Sequence, residues 1–307
     1  PKINEKQILV KVHSCGICGS DVVEWYRLPR APLVQGHEMS GEVVEVGSLV
    51  KNYKVGDRVF IAPKVGCGKC KYCQKSHHSV CPNVKARLPG AFTEYVLVPE
   101  ELIENAVFLI PDKLSYDAAT FIEPLACAIR AQKFSNIKKE DSVLVIGSGM
   151  SGLLHIKLAL NKGAKVTAID INENKLEFAK KLGAKAINAK NPPSEKFDVV
   201  ILCTASLQAF EQAWKSVDLG GVIVLFTVPD PDKKVIVPVN DFWRKEVKII
   251  TSYYCGPDNL KESLNLISSG EIKVKDMITH RLPLDEIQKG FNLVLDGKES
   301  IKVIINP

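Results

Sequence analysis

Ser142-Val-Leu-Val-Ile-Gly-Ser-Gly-Met-Ser-Gly152 is the stretch around which the rest of the chain can be ordered. Val143 to Ile146 form an unbroken apolar run, as a parallel strand covered on both faces requires. The run enters Gly147-x-Gly149-x-x-Gly152, after which Leu153, Leu154, Ile156, Leu158 and Ala159 follow a helical pattern. In that context the first glycine permits a tight turn and the second lets backbone N–H groups approach a diphosphate. The third lets the helix pack close to the strand. Met150 and Ser151 open a helix whose unpaired N–H groups and dipole favour an anion. A second strand, Lys165 to Ile169, leads to Asp170, at about the twenty-residue offset where an acid accepts hydrogen bonds from ribose hydroxyls. Ile171 and Asn172 follow it, with Lys175 the only nearby cation and no arginine for a 2′-phosphate, so NAD is expected over NADP.

Downstream, the pattern continues as a helix from Glu173 to Leu182, a short strand at Ala186 to Asn188 and a strand from Phe197 to Cys203. A helix from Leu207 to Val217 and strands at Gly221 to Phe226 and Val247 to Tyr253 complete it. Six strands with helical crossovers predict a doubly wound Rossmann sheet with the dinucleotide at its switch point. Cys203, Thr204, Phe226 and Thr227 are further expected cofactor contacts.

Upstream, the segment Gln7 to His13 alternates apolar and polar residues, and short strands are expected at Gly41 to Val46, Asp57 to Ile61 and Phe92 to Val98. Glycine and proline punctuate them, as in a β-barrel-like domain. Cys15-Gly-Ile-Cys18 follows the Gln7 to His13 segment, and Gly36-His37-Glu38 precedes the strand at Gly41 to Val46. Between strands lies Cys67-Gly-Lys-Cys70-Lys-Tyr-Cys73, followed by Cys81. Four thiolates at this spacing predict a closed, tetrahedral, structural zinc site in a lobe spanning 63–83, too poor in apolar residues to fold on its own core. A helical pattern from Ser115 to Phe134 carries Glu123-Pro124-Leu125, and the tail offers helices at Asn259 to Ser268 and Leu284 to Leu295 with an end strand Ile301 to Ile305.

With 307 residues the chain suggests two domains. Charged residues at 25% and apolar residues at 46% describe an ordinary soluble globule. The net charge of +6 is scattered lysine, so a nucleic-acid partner is not expected. No apolar run reaches the ~18 residues of a spanning helix, so no membrane partner is expected. Six of the nine cysteines fall in metal-like clusters, which suits a reducing, cytoplasmic setting.

Cys18 with Gly36-His37-Glu38, the four-cysteine lobe and the glycine fingerprint, in this order, resemble the zinc-dependent medium-chain dehydrogenases nearly end to end. Cys-Gly-Ile-Cys18-Gly-Ser-Asp21, Ile122-Glu-Pro-Leu-Ala126 and Thr279-His-Arg-Leu-Pro283 bring the sequence nearest to the sorbitol and polyol branch. The resemblance implies a GroES-like catalytic domain at 1–122, a Rossmann domain at 123–254 and a return to the catalytic domain at 255–307. It also implies first strands upstream of Pro1, and a homodimer or homotetramer. Cys18 and His37 match two ligands of a catalytic zinc, and Glu123 or Glu38 the third. A mixed set of this kind leaves the metal an open position, as catalysis requires. Ser20 matches the hydroxyl that accepts the substrate's proton. Val23 stands where most relatives carry a relay histidine, so that proton has to leave another way. Lys302 matches a basic residue held against the diphosphate, a solvated lysine being the alternative. Cys15, Cys127, Cys203 and Cys255 are expected to be small packed residues.

These readings predict a zinc- and NAD-dependent oxidoreductase that interconverts a secondary alcohol and a ketone on a sugar alcohol, inositol or sugar acid. Threonine or a simple alcohol is the alternative substrate. A non-catalytic dinucleotide-binding protein that keeps the fold is the alternative of another class.

Overall fold

A computed structural model describes all residues, 1–307. The chain divides into two compact units: 1–126 together with 255–307, and 127–254. The division falls inside the helix Ile122–Ser135.

The first unit is built on a seven-stranded sheet. Along it lie Ile278–Pro283, Lys302–Asn306, Ile8–Gly16, Glu38–Val46, Arg58–Ile61 and Val107–Leu109, with Tyr95–Val98 also pairing to Ile8–Gly16. Ile8–Gly16 runs antiparallel to Glu38–Val46, in a register that sets Gly16 opposite Glu38 and Cys15 opposite Met39. The same strand end is antiparallel to the last strand, Cys15 facing Ile305. The sheet therefore brings three distant parts of the sequence to one corner. Ile8, Val10, Val43, Val59, Phe60, Ile61, Val98 and Ile304 have no solvent exposure and form its core.

The expected strand at Phe92 to Val98 begins only at Tyr95. Gly90 takes φ 123°, and the N–H groups of Ala91 and Phe92 donate to Gln35 O, so that backbone serves the Gly36-His37 turn instead. The expected helix from Ser115 to Phe134 is two helices, Tyr116–Ala119 and Ile122–Ser135. Pro124 accounts for the restart, because proline is tolerated in a first turn, where its missing N–H is not needed. Ile278–Pro283, not foreseen as a strand, pairs in parallel with the last strand.

The second unit holds a six-stranded, wholly parallel sheet. Its order is Lys185–Asn188, Lys165–Asp170, Ser142–Ile146, Phe197–Leu202, Val217–Leu225, Lys248–Thr251. This is the doubly wound order, and its switch point falls between the ends of Ser142–Ile146 and Phe197–Leu202. Leu144, Ile146, Val200, Leu202, Phe210 and Ile223 lie in one buried cluster beside the sheet. A short helix, Val239–Lys245, was not foreseen and adds Phe242 to that cluster.

Candidate active site

The strand Ile8–Gly16 ends at a 3₁₀ turn, Gly19–Val22, capped by Cys18. The thiol of Cys18 accepts from Ser20 N at 3.5 Å and from Ser20 Oγ at 3.4 Å, while Asp21 Oδ2 accepts from Cys18 N at 3.0 Å. Because Gly16 pairs with Glu38, the turn lies beside His37 and Glu38. The candidate ligand atoms of Cys18, His37 and Glu38 all fall within 4.8 Å of one another. Asp21 Oδ1 is 3.4 Å from His37 Nδ1. Burial would lower the His37 pKa, yet the hydrogen bonds and charges of Asp21 and Cys18 carry it well above the ordinary histidine value. Burial would likewise raise Asp21, but His37, Arg27 and the Cys18 N–H hold its carboxyl below the usual range.

The chemistry of this cluster fits a catalytic zinc: one sulfur, one nitrogen and one oxygen donor, a number that leaves a position open. Glu38 strengthens the fit. It is fully buried, Oε2 is ion-paired with Lys302 Nζ, and Oε1 has no hydrogen-bond partner. A buried carboxylate oxygen without a partner is costly unless something binds it. Glu123 is also buried but lies outside this cluster, its carboxylate within 4.8 Å of the Cys255 thiol. Lys302 differs from both expectations. It is neither solvated nor free for a diphosphate: its side chain is fully buried, Nζ bonds Glu38 and Ile17 O, and the charge sits 5.5 Å from the Phe121 ring centroid. An acid placed opposite by sheet register captured it, which no local sequence signal announces.

In the cysteine lobe, the sulfurs of Cys67, Cys70, Cys73 and Cys81 lie within 4.8 Å of one another. Metal–sulfur arms of ~2.3 Å in a tetrahedron give edges of about 3.8 Å, and Cys70 Sγ is 3.8 Å from Cys81 Sγ. The backbone N–H groups of Lys69 and Cys70 lower the Cys67 thiol to about 6, whereas burial pushes Cys73 up to about 12. The spacing and the donors fit one closed zinc. None of the nine cysteines is disulfide-bonded; Cys15 and Cys255 are buried, but Cys127 and Cys203 are only half-buried.

In the second unit, Gly147 has φ 95°, and a Cβ there would lie 2.9 Å from Cys203 O. A Cβ on Gly152 would run into Gly147 O. Gly149 differs: no protein atom lies within 4 Å of where its Cβ would be, and it caps the helix Met150–Asn161 without a side-chain bond. Here the chain leaves a cradle in front of open helix N–H groups, the arrangement a dinucleotide diphosphate needs. Asp170 is engaged at both oxygens, Oδ2 accepting from Ser148 N at 2.6 Å and Oδ1 from Asn172 N at 2.9 Å. Its remaining lone pairs are what ribose hydroxyls would use. Ile171 is exposed and Lys175 half-buried, its backbone N–H donating to Asn172 Oδ1 at 3.2 Å. Thr204 lies next to Gly147, Phe226 N and Thr227 N both donate to Leu202 O, and the Phe226 ring packs edge-on to His155 at 4.6 Å.

Two residues near Cys18 were not anticipated. Asp21 ties the Cys18 backbone to His37. Arg27 ends the helix Glu24–Arg27 and folds back onto Ser20, Asp21 and His37. Asp21 belongs to the quoted Cys-Gly-Ser-Asp motif, whereas Arg27 lies in no motif.

The alcohol dehydrogenase GroES-like domain family matches residues 4–112, and the zinc-binding dehydrogenase family matches residues 152–269. D-arabitol-phosphate dehydrogenase of Enterococcus avium is 33% identical over 99% of this chain and 91% of its own length. Sorbitol dehydrogenase of Bacillus subtilis (strain 168) is 30% identical over 100% of this chain and 92% of its own. Among solved structures, a protein assigned as a zinc-binding dehydrogenase from Sinorhizobium meliloti 1021, bound to NADP, superposes with a TM-score of 0.89 at 30% identity, covering 100% of this chain and 94% of that one. Other relatives are alcohol and L-threonine 3-dehydrogenases. The chain belongs to the zinc-dependent medium-chain dehydrogenases and is a zinc-binding dehydrogenase of the polyol, alcohol and threonine dehydrogenase type.

Proposed function

We propose that the chain interconverts a secondary alcohol and a ketone on a polyhydroxylated substrate, with NAD as the redox partner. The observation that carries this reading is the buried, half-unpartnered carboxylate of Glu38 beside Cys18 and His37. An oxygen donor makes a metal centre harder and more oxygen-loving than a thiolate would, which suits a substrate offering two adjacent oxygens. The relatives named for D-arabitol phosphate and for sorbitol support the same substrate class.

Cys18, His37 and Glu38 would hold the catalytic zinc, Glu123 standing outside that set, and Cys67, Cys70, Cys73 and Cys81 would hold the structural one. Bound zinc supplies Lewis acidity toward a hydroxyl oxygen, and the nicotinamide supplies the hydride acceptor. The chain's own residues do the rest. Asp21 accepts from His37 Nδ1, which directs Nε2 toward the metal position. Ser20, against the Cys18 thiol, meets the substrate oxygen. Asp170 selects the ribose end of the cofactor and would repel a 2′-phosphate, with Lys175 as a partial counterweight. Together with the exposed edge strand Lys248–Thr251 and exposed Trp243 and Ile236, the resemblance supports a homo-oligomer.

The test is a screen of NAD⁺ reduction with sugar alcohols, their phosphates, sugar acids, inositols, threonine and mono-alcohols. Vicinal diols are expected to exceed mono-alcohols of equal size in kcat/KM. Equal efficiency with 2-butanol and the best polyol would refute the reading.

A further inference from the structure

Arg27 has five N–H donors and no lone pair, and the first unit uses three of the five on atoms next to the metal cluster. Its Nε donates to Ser20 O at 2.9 Å. Its Nη2 carries two hydrogens and has two close acceptors, Ser20 Oγ at 2.9 Å and Asp21 Oδ1 at 2.5 Å. A third atom, His37 Nδ1, is 3.4 Å from the same nitrogen. No hydrogen is left for it. His37 Nδ1 must therefore be the donor, and Asp21 Oδ1, also at 3.4 Å, the acceptor.

The same count fixes Ser20. One lone pair of its hydroxyl is taken by Arg27, and its own hydrogen is directed to Cys18 Sγ at 3.4 Å. A relay serine must pass its hydrogen onward to a group that can accept it, and Arg27 cannot. The position matters too. Arg27 lies four residues after Val23, with its N–H bonded to Val23 O at 3.1 Å, so one short helical turn sets the guanidinium against Ser20 and Asp21.

We propose that Arg27 is a positioning residue for the reaction: it holds the Ser20 hydroxyl as a hydrogen-bond donor to the reacting oxygen, whose own proton is given up to water as the alcohol binds. The proposal rests on the dehydrogenase reading above and adds to it a role for a residue outside every motif. It involves no proton transfer to or from Arg27. Asp21 neutralises the guanidinium, and the pair is nearly buried, with side-chain exposures of 15% and 0%.

The experiment compares Arg27→Ala and Arg27→Lys with the parent protein, each as zinc enzyme and with cobalt in the catalytic site. Three quantities are read: zinc content, the affinity of the non-reactive alcohol trifluoroethanol from the cobalt absorption bands, and kcat and KM with and without ethylguanidinium. Arg27→Ala is expected to keep its zinc and to bind trifluoroethanol about tenfold more weakly. Its kcat should fall about tenfold or more, with KM for NAD⁺ unchanged. Ethylguanidinium should restore most of both losses. Arg27→Lys, whose ammonium cannot span Ser20 O, Ser20 Oγ and Asp21 together, should resemble Arg27→Ala and serves in its place if the alanine variant fails to fold. Wild-type trifluoroethanol affinity in the variants would overturn the proposal. So would loss of catalytic zinc, or loss of kcat without rescue at full zinc content. A parent protein that oxidises no alcohol but binds trifluoroethanol in an Arg27-dependent way would sink the proposed function and leave this role standing.

Discussion

Gly149→Ala separates what the glycine fingerprint does for the fold from what it does for the cofactor. The backbone at Gly149 has φ −70° and ψ −171°, which alanine adopts freely, and no protein atom lies within 4 Å of the added methyl. The poorer N-cap and the stiffer unfolded chain act in opposite directions, so folding stability should change by no more than about 0.5 kcal/mol. The methyl does occupy the cradle that a diphosphate would enter. Overpacking of that order, roughly 1–3 kcal/mol, weakens NAD⁺ binding by about 5- to 150-fold. Gly147→Ala is the contrasting case. At φ 95°, with Cys203 O only 2.9 Å from the new Cβ, it should cost roughly 2–4 kcal/mol of stability. Thermal unfolding without cofactor and titration calorimetry with NAD⁺ read the two effects separately. The reasoning fails if Gly149→Ala binds NAD⁺ as tightly as the parent protein, or if it melts as early as Gly147→Ala.

Cys70→Ser should lower zinc content by one ion with a clear drop in melting temperature, whereas His37→Ala should abolish turnover and leave melting nearly unchanged; metal analysis and calorimetry on both variants check this. The ratio of kcat/KM for NAD⁺ to that for NADP⁺ should exceed one and should fall in Asp170→Asn, since the repulsion of a 2′-phosphate is then removed. His155 is fully buried, with Nε2 unpartnered, and burial lowers its pKa from 6.5 to about 3. The unfolded chain therefore takes up a proton that the folded one refuses, so stability from this group is intact above 6.5 and is lost as pH falls toward 3. His155→Leu should flatten that acid-side loss in denaturant titrations; an unchanged pH profile would count against it.

The two readable halves of the chain were those with dense local signals. The fingerprint, Asp170 and the alternation of apolar strands with helices specify a doubly wound sheet because each βα unit is built from neighbours in sequence. The observed strand order follows from the handedness of successive crossovers. The four cysteines were legible because a tetrahedral cation demands a fixed donor spacing, which the Cys67 to Cys81 segment meets by itself. Cys18, His37 and Glu38 were legible only through resemblance, since nothing local says that position 18 will meet position 37.

Tertiary structure decided the rest. The sheet register set Gly16 opposite Glu38 and the last strand alongside, and so turned Lys302 from an expected cofactor contact into the buried partner of that acid. It put Glu38, rather than Glu123, with the other two candidate ligands. It also brought Arg27 back onto Ser20 and Asp21 through a single turn of helix. Sequence alone determined most of the strands and helices and the four-cysteine loop, because those choices rest on local periodicity and spacing; the strand Ile278–Pro283 and the helix Val239–Lys245 escaped it. Which charge faces which acid, and which nitrogen of His37 is left for a metal, depends on long-range register, and that exists only once the sheet has formed.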